Sequence, residues 1–379
     1  MKKSPKKIRE PLFHIVRQET QGWKKPLLVR VCSISAAFIV CSALILIFAK
    51  RNPIEVFEAL IVGAVGKNGN SIMDLFQKAA ILLCISLAVT PAFKMKFWNI
   101  GAEGQVLMGG LAAAACMIML RGKVPNWLLI VLIFVSGMVL GMLWGVIPAV
   151  FKAQWGANET LFTLMMNYCA MQIVSFFIVK WENPINSGKV GVINLRGEYR
   201  QVGWLPELFG QDYLLNILIV VAVTALMYIY LKYSKQGFEI SVVGESENTA
   251  RYVGINVKKV IVRTMAISGA ICGLAGVLLV SGTHHTIAAN TAGGNGFTAV
   301  MVSWLAKFNP IIMAGVAFFI AFLEKGAGGV ATHTGLNASL ADIIIGILLF
   351  FIIGCEFFLN YRIVINKQRS SKKKKGGNE

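Results

Sequence analysis

An all-α polytopic membrane protein with about ten transmembrane segments is the fold class this sequence predicts, and three observations carry the prediction. Of the 379 residues, 56% are hydrophobic and only 15% charged, with a mean hydropathy of +0.66; soluble domains average roughly 45–50% and about 25%. The apolar residues come in runs near the ~20 residues that a membrane-spanning helix needs. Positive charge, finally, gathers between those runs and in the two tails, as expected for loops on the cytoplasmic face.

In chain order, residues 1–26 form a basic cytoplasmic arm, with Lys2, Lys3, Lys6, Lys7 and Arg9 at its start. The first span, 27–49, is too long for the apolar core of a signal peptide and is expected to stay in the membrane. Residues 50–70 hold an apolar patch at the interface. The second span, 71–93, carries Asp74 and Lys78 one helical turn apart, on one face. Next comes Phe97-Trp98-Asn99-Ile100-Gly101-Ala102-Glu103-Gly104-Gln105, in which glycines and amides bracket a carboxylate. This stretch is read either as a polar loop or as a broken helix facing a pathway across the membrane.

A segment rich in small residues (104–120) leads to the fourth span, 127–150, where Gly137, Gly141 and Gly145 at four-residue spacing offer a groove for close helix packing. Spans five to seven cover 159–179, 213–231 and 260–281, and 180–212 forms the longest outer loop. The apolar run 297–306 reaches only ~15 Å, half of a ~30 Å hydrocarbon core. It lies between Ala292-Gly293-Gly294-Asn295-Gly296 and Asn309-Pro310, which makes it a second glycine-broken element. Runs at 311–323 and 338–358 complete the 27–358 transmembrane domain, followed by a basic cytoplasmic tail over 359–379.

On this scheme 25 Lys and Arg fall on the side of the termini and 10 on the other. The excess predicts an even number of crossings with both termini cytoplasmic, in the cell membrane. It also accounts for the net charge of +19 through the lipid bilayer rather than through nucleic acid. The seven cysteines lie in apolar runs without a CxxC pair, so neither a disulfide framework nor a metal site is indicated, and no cofactor. The Gly-Lys pairs lack the upstream glycine and following Ser or Thr of a P-loop, and HExxH and GxSxG are absent. His284 and His285 sit just past the outer end of the seventh span. No constellation supports an enzyme.

The loop 232–259 carries a self-contained helix signal. Ser246 can cap, Glu247 suits the first turn, and Gly254 suits a left-handed position after Asn248, Thr249, Ala250, Arg251, Tyr252 and Val253. So short a helix needs a surface to dock on, and its weak apolar face favours a cytoplasmic protein over lipid.

Four blocks, FWNIGAEGQVLMGG (97–110), NETLFTLMMNYCA (158–170), GFEISVVGESENTARYVGIN with SGAICGLAG (237–276) and GGNGFTAVMVSWLAKFNP (293–310), resemble the membrane permease subunits of ATP-binding-cassette (ABC) importers. The match is to the branch that handles nucleosides, simple sugars and branched-chain amino acids, and the wording of the first two blocks is nearest the nucleoside type. The resemblance runs from about residue 70 to 360. It implies a homodimer or a sister permease, two cytoplasmic ABC ATPase subunits, an extracellular substrate-binding lipoprotein, and a coupling helix at 246–254. The transport path is then expected near Trp98, Asn99, Glu103, Gln105, Asn158, Asn167, Asn295 and Phe297, with Trp98, Tyr168, Phe297 or Trp304 able to stack on a base. Lys94, Lys96, Trp98 and Asp342 depart from the usual pattern. The alternative from residues alone is an ion-coupled secondary transporter using Asp74, Glu103, Asp342 and Glu356.

Overall fold

A computed structural model describes residues 13–17, 24–66, 69–335 and 338–365. The remainder of the basic arm and tail, and the side chains of Asp342 and Glu356, lie outside the described residues. The helices are α1 (Lys24–Leu44), α2 (Pro53–Val65), α3 (Gly69–Lys94), α4 (Ala102–Met119), α5 (Asn126–Trp155), α6 (Glu159–Trp181) and α7 (Leu214–Tyr233). They continue with α8 (Lys235–Glu245), α9 (Glu247–Tyr252), α10 (Val257–Leu279), α11 (Asn295–Leu305), α12 (Pro310–Thr334) and α13 (Ala338–Asn360). Among the described residues, eight helices are long and apolar enough to cross a membrane.

The chain divides into two compact units, residues 1–57 with 334–379, and residues 58–333. In the first, α1 packs on α13, where the Ser33 hydroxyl donates to the Phe351 carbonyl at 3.0 Å and Phe38 meets Phe57 edge-on. Here the prediction of an all-helical chain needs a small correction. Strands β1 (Phe13–Arg17) and β2 (Tyr361–Ile365) pair antiparallel, Phe13 opposite Ile365. Both have the β-branched and aromatic residues that suit a ladder.

In the second unit α3, α4 and α10 form the centre, and α5, α6 and α7 expose most of their surface. Helices apolar on every side can be buried this way or can face lipid. The glycine groove of α5 closes on α10. A Cβ at Gly273 of α10 would come within 2.3 Å of the Gly137 carbonyl oxygen, and one at Gly109 of α4 equally close to that of Gly273. Three backbones therefore approach to a distance that only glycine permits.

Other expectations shift. The loop 232–259 holds two helices, α8 as well as α9, because Ser234 caps α8 by accepting from the Gly237 amide at 2.9 Å. The patch after the first span is a 13-residue helix, α2. Asp74 is paired not with Lys78 but with Lys325 of α12, at 3.8 Å, and the same ammonium donates to the Ser71 carbonyl. A partner brought from far along the chain thus replaces the one a turn away. The 182–213 loop is tied to the end of the bundle opposite α9. There Asn194 donates to the Met117 and Val202 carbonyls, and the Asn126 side chain accepts from the Gly203 amide at 2.8 Å.

Candidate functional site

The interruption after α3 is shorter than the sequence suggests. Residues 95–101 leave the helix, and α4 starts at Ala102, which puts Glu103 and Gln105 in its first turns. Non-helical backbone inside an apolar bundle must find its hydrogen bonds within the protein. Here α6 supplies them. Thr163 accepts from the Ile100 amide at 3.2 Å, and Asn167 accepts from the Gly104 amide and donates to the Ile100 carbonyl, both at 2.9 Å. Asn99 closes the turn by accepting from the Gly101 amide at 3.1 Å. Its amide also pairs with that of Gln105 and reaches Ser268 of α10 at 3.3 Å. Asn99, Gln105 and Asn167 are thus buried and mutually satisfied.

The second interruption arrives at the same place. The segment after α10 turns at Gly293 and Gly294, both at positive φ, and α11 begins. Glu103 fastens it: one carboxylate oxygen accepts from the Gly294 amide and the other from the Gly296 amide, each at 2.8 Å. Without a side-chain cap of its own, α11 receives its anion from α4. The starts of two helices, which carry partial positive charge, therefore flank one carboxylate. A Cβ at Gly296 would lie 2.4 Å from the Glu103 amide nitrogen, so the approach requires glycine.

The remaining predicted residues separate by exposure. Asn158 lies away from the junction, capping α6 by accepting from the Leu161 amide at 3.2 Å. Asn295 is the first residue of α11 and is half-buried. Trp98, Phe297, Trp304 and Tyr168 are all substantially exposed. Trp98 stacks on Trp304 with centroids 5.6 Å apart, and Phe93 meets both edge-on. This aromatic wall combines residues from both interruptions. Sequence reasoning missed Thr163 and Ser268, since a polar residue on a spanning helix does not reveal its partner, and Phe93, which is one apolar residue among many at the end of a span.

The short helix forms as its sequence implies. Ser246 accepts from the Thr249 amide at 3.3 Å, Glu247 and Arg251 pair at 3.4 Å, and Gly254 has φ +83°. Only Ala250 of α9 is buried; Asn248, Thr249, Arg251 and Tyr252 are exposed, Tyr252 at 93%. Ala250 belongs to one apolar cluster with Met95 and Phe97 of the first interruption, Ile240 and Val243 of α8, and Met265 of α10. A Cβ at Gly244 of α8 would collide with the Lys94 carbonyl oxygen. An interior packed this closely transmits a displacement rather than absorbing it, so α9 is mechanically linked to the broken stretch. A cleft of about 140 Å³ beside it is lined by Lys96, Lys152, Glu159 and Glu247.

The chain is 28% identical over 338 residues to a nucleoside ABC transporter permease protein of Lactococcus lactis, covering 86% of this chain and 91% of that one. A guanosine ABC transporter permease protein of Bacillus subtilis is 31% identical over 297 residues, 77% and 81% of the two chains. A glucose ABC transporter permease protein of Haloferax volcanii is 27% identical over 325 residues, 83% and 84%. Residues 71–353, which contain both interruptions and α9, match the family of branched-chain amino acid transport system permease components, and the chain belongs to that family.

Proposed function

We propose that this chain is the transmembrane permease subunit of an ABC importer that carries a nucleoside, or a related simple sugar, across the cell membrane. The observation that carries the reading is the single packed core joining the exposed helix α9 to the first interruption, which Glu103 in turn fastens to the second. Cytoplasmic ATPase subunits would grip α9 through Ser246–Tyr252 and Gly254 and drive the swing between outward and inward states. A second permease, sister chain or identical copy, would complete the path, and an extracellular binding lipoprotein would deliver cargo. ATP hydrolysis belongs to the partner chains.

Depth in the membrane follows from chain direction. Ten crossings result if the segment descending to Gly294 and α11 together count as one, with both termini and α9 cytoplasmic. The charge bias and the β1–β2 pairing of the two ends support this. Within the path, the buried amides and Glu103 hold the backbone in place. The exposed, stacked rings of Trp98 and Trp304 form a wall past which a nucleobase slides, with Phe297 and Asn295 further along α11 as additional path residues. Relatives named for nucleoside, guanosine and glucose transport support the cargo class.

The test is uptake of labelled guanosine or glucose into vesicles holding the assembled importer. Arg251→Ala with Tyr252→Ala should leave ATP hydrolysis running while uptake falls to background. Unchanged coupling would overturn the role of α9, and ion-driven uptake without any ATPase would overturn the whole assignment.

A further inference from the structure

Two of the spanning helices carry a buried proline in their interior, Pro91 in α3 and Pro148 in α5. Such a proline has no amide for the carbonyl one turn earlier, and its ring presses against that carbonyl, so the helix bends there. The carbonyls that lose their usual amide are those of Leu87 and Trp144. Each helix has a second weakness close to its proline. In α3 the Ser86 hydroxyl donates to the Leu82 carbonyl and the Thr90 hydroxyl to the Ser86 carbonyl, both at 2.7 Å. Pairing of this kind, one turn back along the helix, itself favours bending. In α5 the buried indole N–H of Trp144 has no partner among the described residues. It sits against the start of α4, 3.1 Å from where a Cβ at Gly104 would lie.

The two prolines occupy matching places. The first residues of α3 and α5 to enter the apolar cluster around α9 are Ala92 and Ala149, each directly after a proline. Before Pro148, α5 is locked to α10 by backbone contact: a Cβ at Gly141 would come within 2.5 Å of the Gly269 carbonyl oxygen, and one at Gly145 within 2.9 Å of that of Met265. We infer that Pro91 and Pro148 are paired hinges, positioning residues about which the α9 cluster moves relative to the glycine-locked part of the bundle. α10 has no proline and spans both parts as the lever. The aromatic wall straddles the hinge in α3. Phe93 and Trp98 follow Pro91, whereas Trp304 belongs to α11, whose Ser303 donates to the Ser86 carbonyl ahead of the proline at 2.9 Å. A bend at Pro91 therefore shifts Phe93 and Trp98 against Trp304, the three rings now in contact. That an ATPase supplies the push on α9 rests on the importer reading; the hinges do not.

Hydrogen–deuterium exchange of the full chain in lipid nanodiscs reads the hinges without any ATPase. Amides 149–152 of α5 should exchange faster than amides 137–145 of the same helix. Pro91→Ala with Pro148→Ala should slow exchange just after both positions about tenfold. In the assembled importer this alanine pair should keep its ATP hydrolysis and its thermal midpoint while uptake falls several-fold. Pro91→Gly with Pro148→Gly restores the amides but leaves the helices weak, and should retain most of the uptake. Pro125→Ala, exposed at the N-cap of α5 where no helical bond is missing, should match wild type. Exchange unchanged in the alanine pair, wild-type uptake by it, a loss of uptake matched by a loss of midpoint, or equal losses in the alanine and glycine pairs would each overturn the inference. A wild-type chain without ATP-driven uptake would sink the importer reading instead, and the exchange rates would still judge the hinges.

Discussion

Glu103→Gln tests whether one side chain fastens the two interrupted segments together. Both carboxylate oxygens accept backbone amides at 2.8 Å. Hydrogen bonds to a charged group contribute about 1.5–3 kcal/mol each, against about 0.5–1.5 for neutral ones. Glutamine keeps one acceptor but turns a donor toward the other amide, so one bond is lost and the second drops to the neutral range. Removing the charge from the starts of α4 and α11 costs a further 0.3–1 kcal/mol or so. The expected loss is about 3–5 kcal/mol, which for a chain of this size lowers the midpoint of thermal unfolding by roughly 4–7 °C. Thermal unfolding in nanodiscs, followed by tryptophan fluorescence, reads this directly, and Glu103→Leu, which removes both acceptors, should lose more. A Glu103→Gln midpoint indistinguishable from wild type would show that the carboxylate does not hold α11.

Three further outcomes are expected in the same assay. Gly273→Ala should cost about 1–3 kcal/mol or prevent folding, since its Cβ would meet the Gly137 carbonyl oxygen at 2.3 Å, whereas Gly315→Ala, with nothing within 4 Å, should be close to wild type. Tyr252→Ala should leave the midpoint of the isolated chain unchanged, because a ring 93% exposed contributes no packing; a clear drop would mean that α9 needs Tyr252 to fold. For His285 the imidazole pKa is pushed down to about 4, chiefly by burial, with a backbone hydrogen bond at Ser281 opposing the fall and the neighbouring His284 adding to it. The unfolded imidazole titrates near ~6.5, so as pH falls the unfolded chain takes up the proton first. The stability that neutral His285 contributes is present above ~6.5 and lost as pH drops toward 4. His285→Phe should flatten the fall in midpoint between pH 7.5 and 5, and an unaltered slope would disprove the assignment.

Much of this protein was legible along the chain because lipid and backbone impose local rules. Unbroken apolar length marks a spanning helix, glycine spacing on α5 marks a close contact, and Ser246, Glu247 and Gly254 specify both ends of α9 within nine residues. The apolar run 297–306 was likewise too short to cross alone, and α11 covers nearly all of it after starting two residues before it. Partnerships, however, are set by three-dimensional packing. Helical spacing put Asp74 and Lys78 on one face, yet the cation found within ion-pair distance of Asp74 is Lys325, about 250 residues away. Asn99, Glu103 and Gln105 read as groups facing a pathway; a buried polar atom must also find a bond, and α10 brings Ser268 to Asn99, the start of α11 brings two amides to Glu103, and Gln105 pairs with Asn99 itself. The sequence by itself determined the elements and their breaks, since those depend on neighbours within a turn or two. Only the tertiary structure decided that the two breaks meet at one carboxylate, because that contact joins residues nearly 200 positions apart.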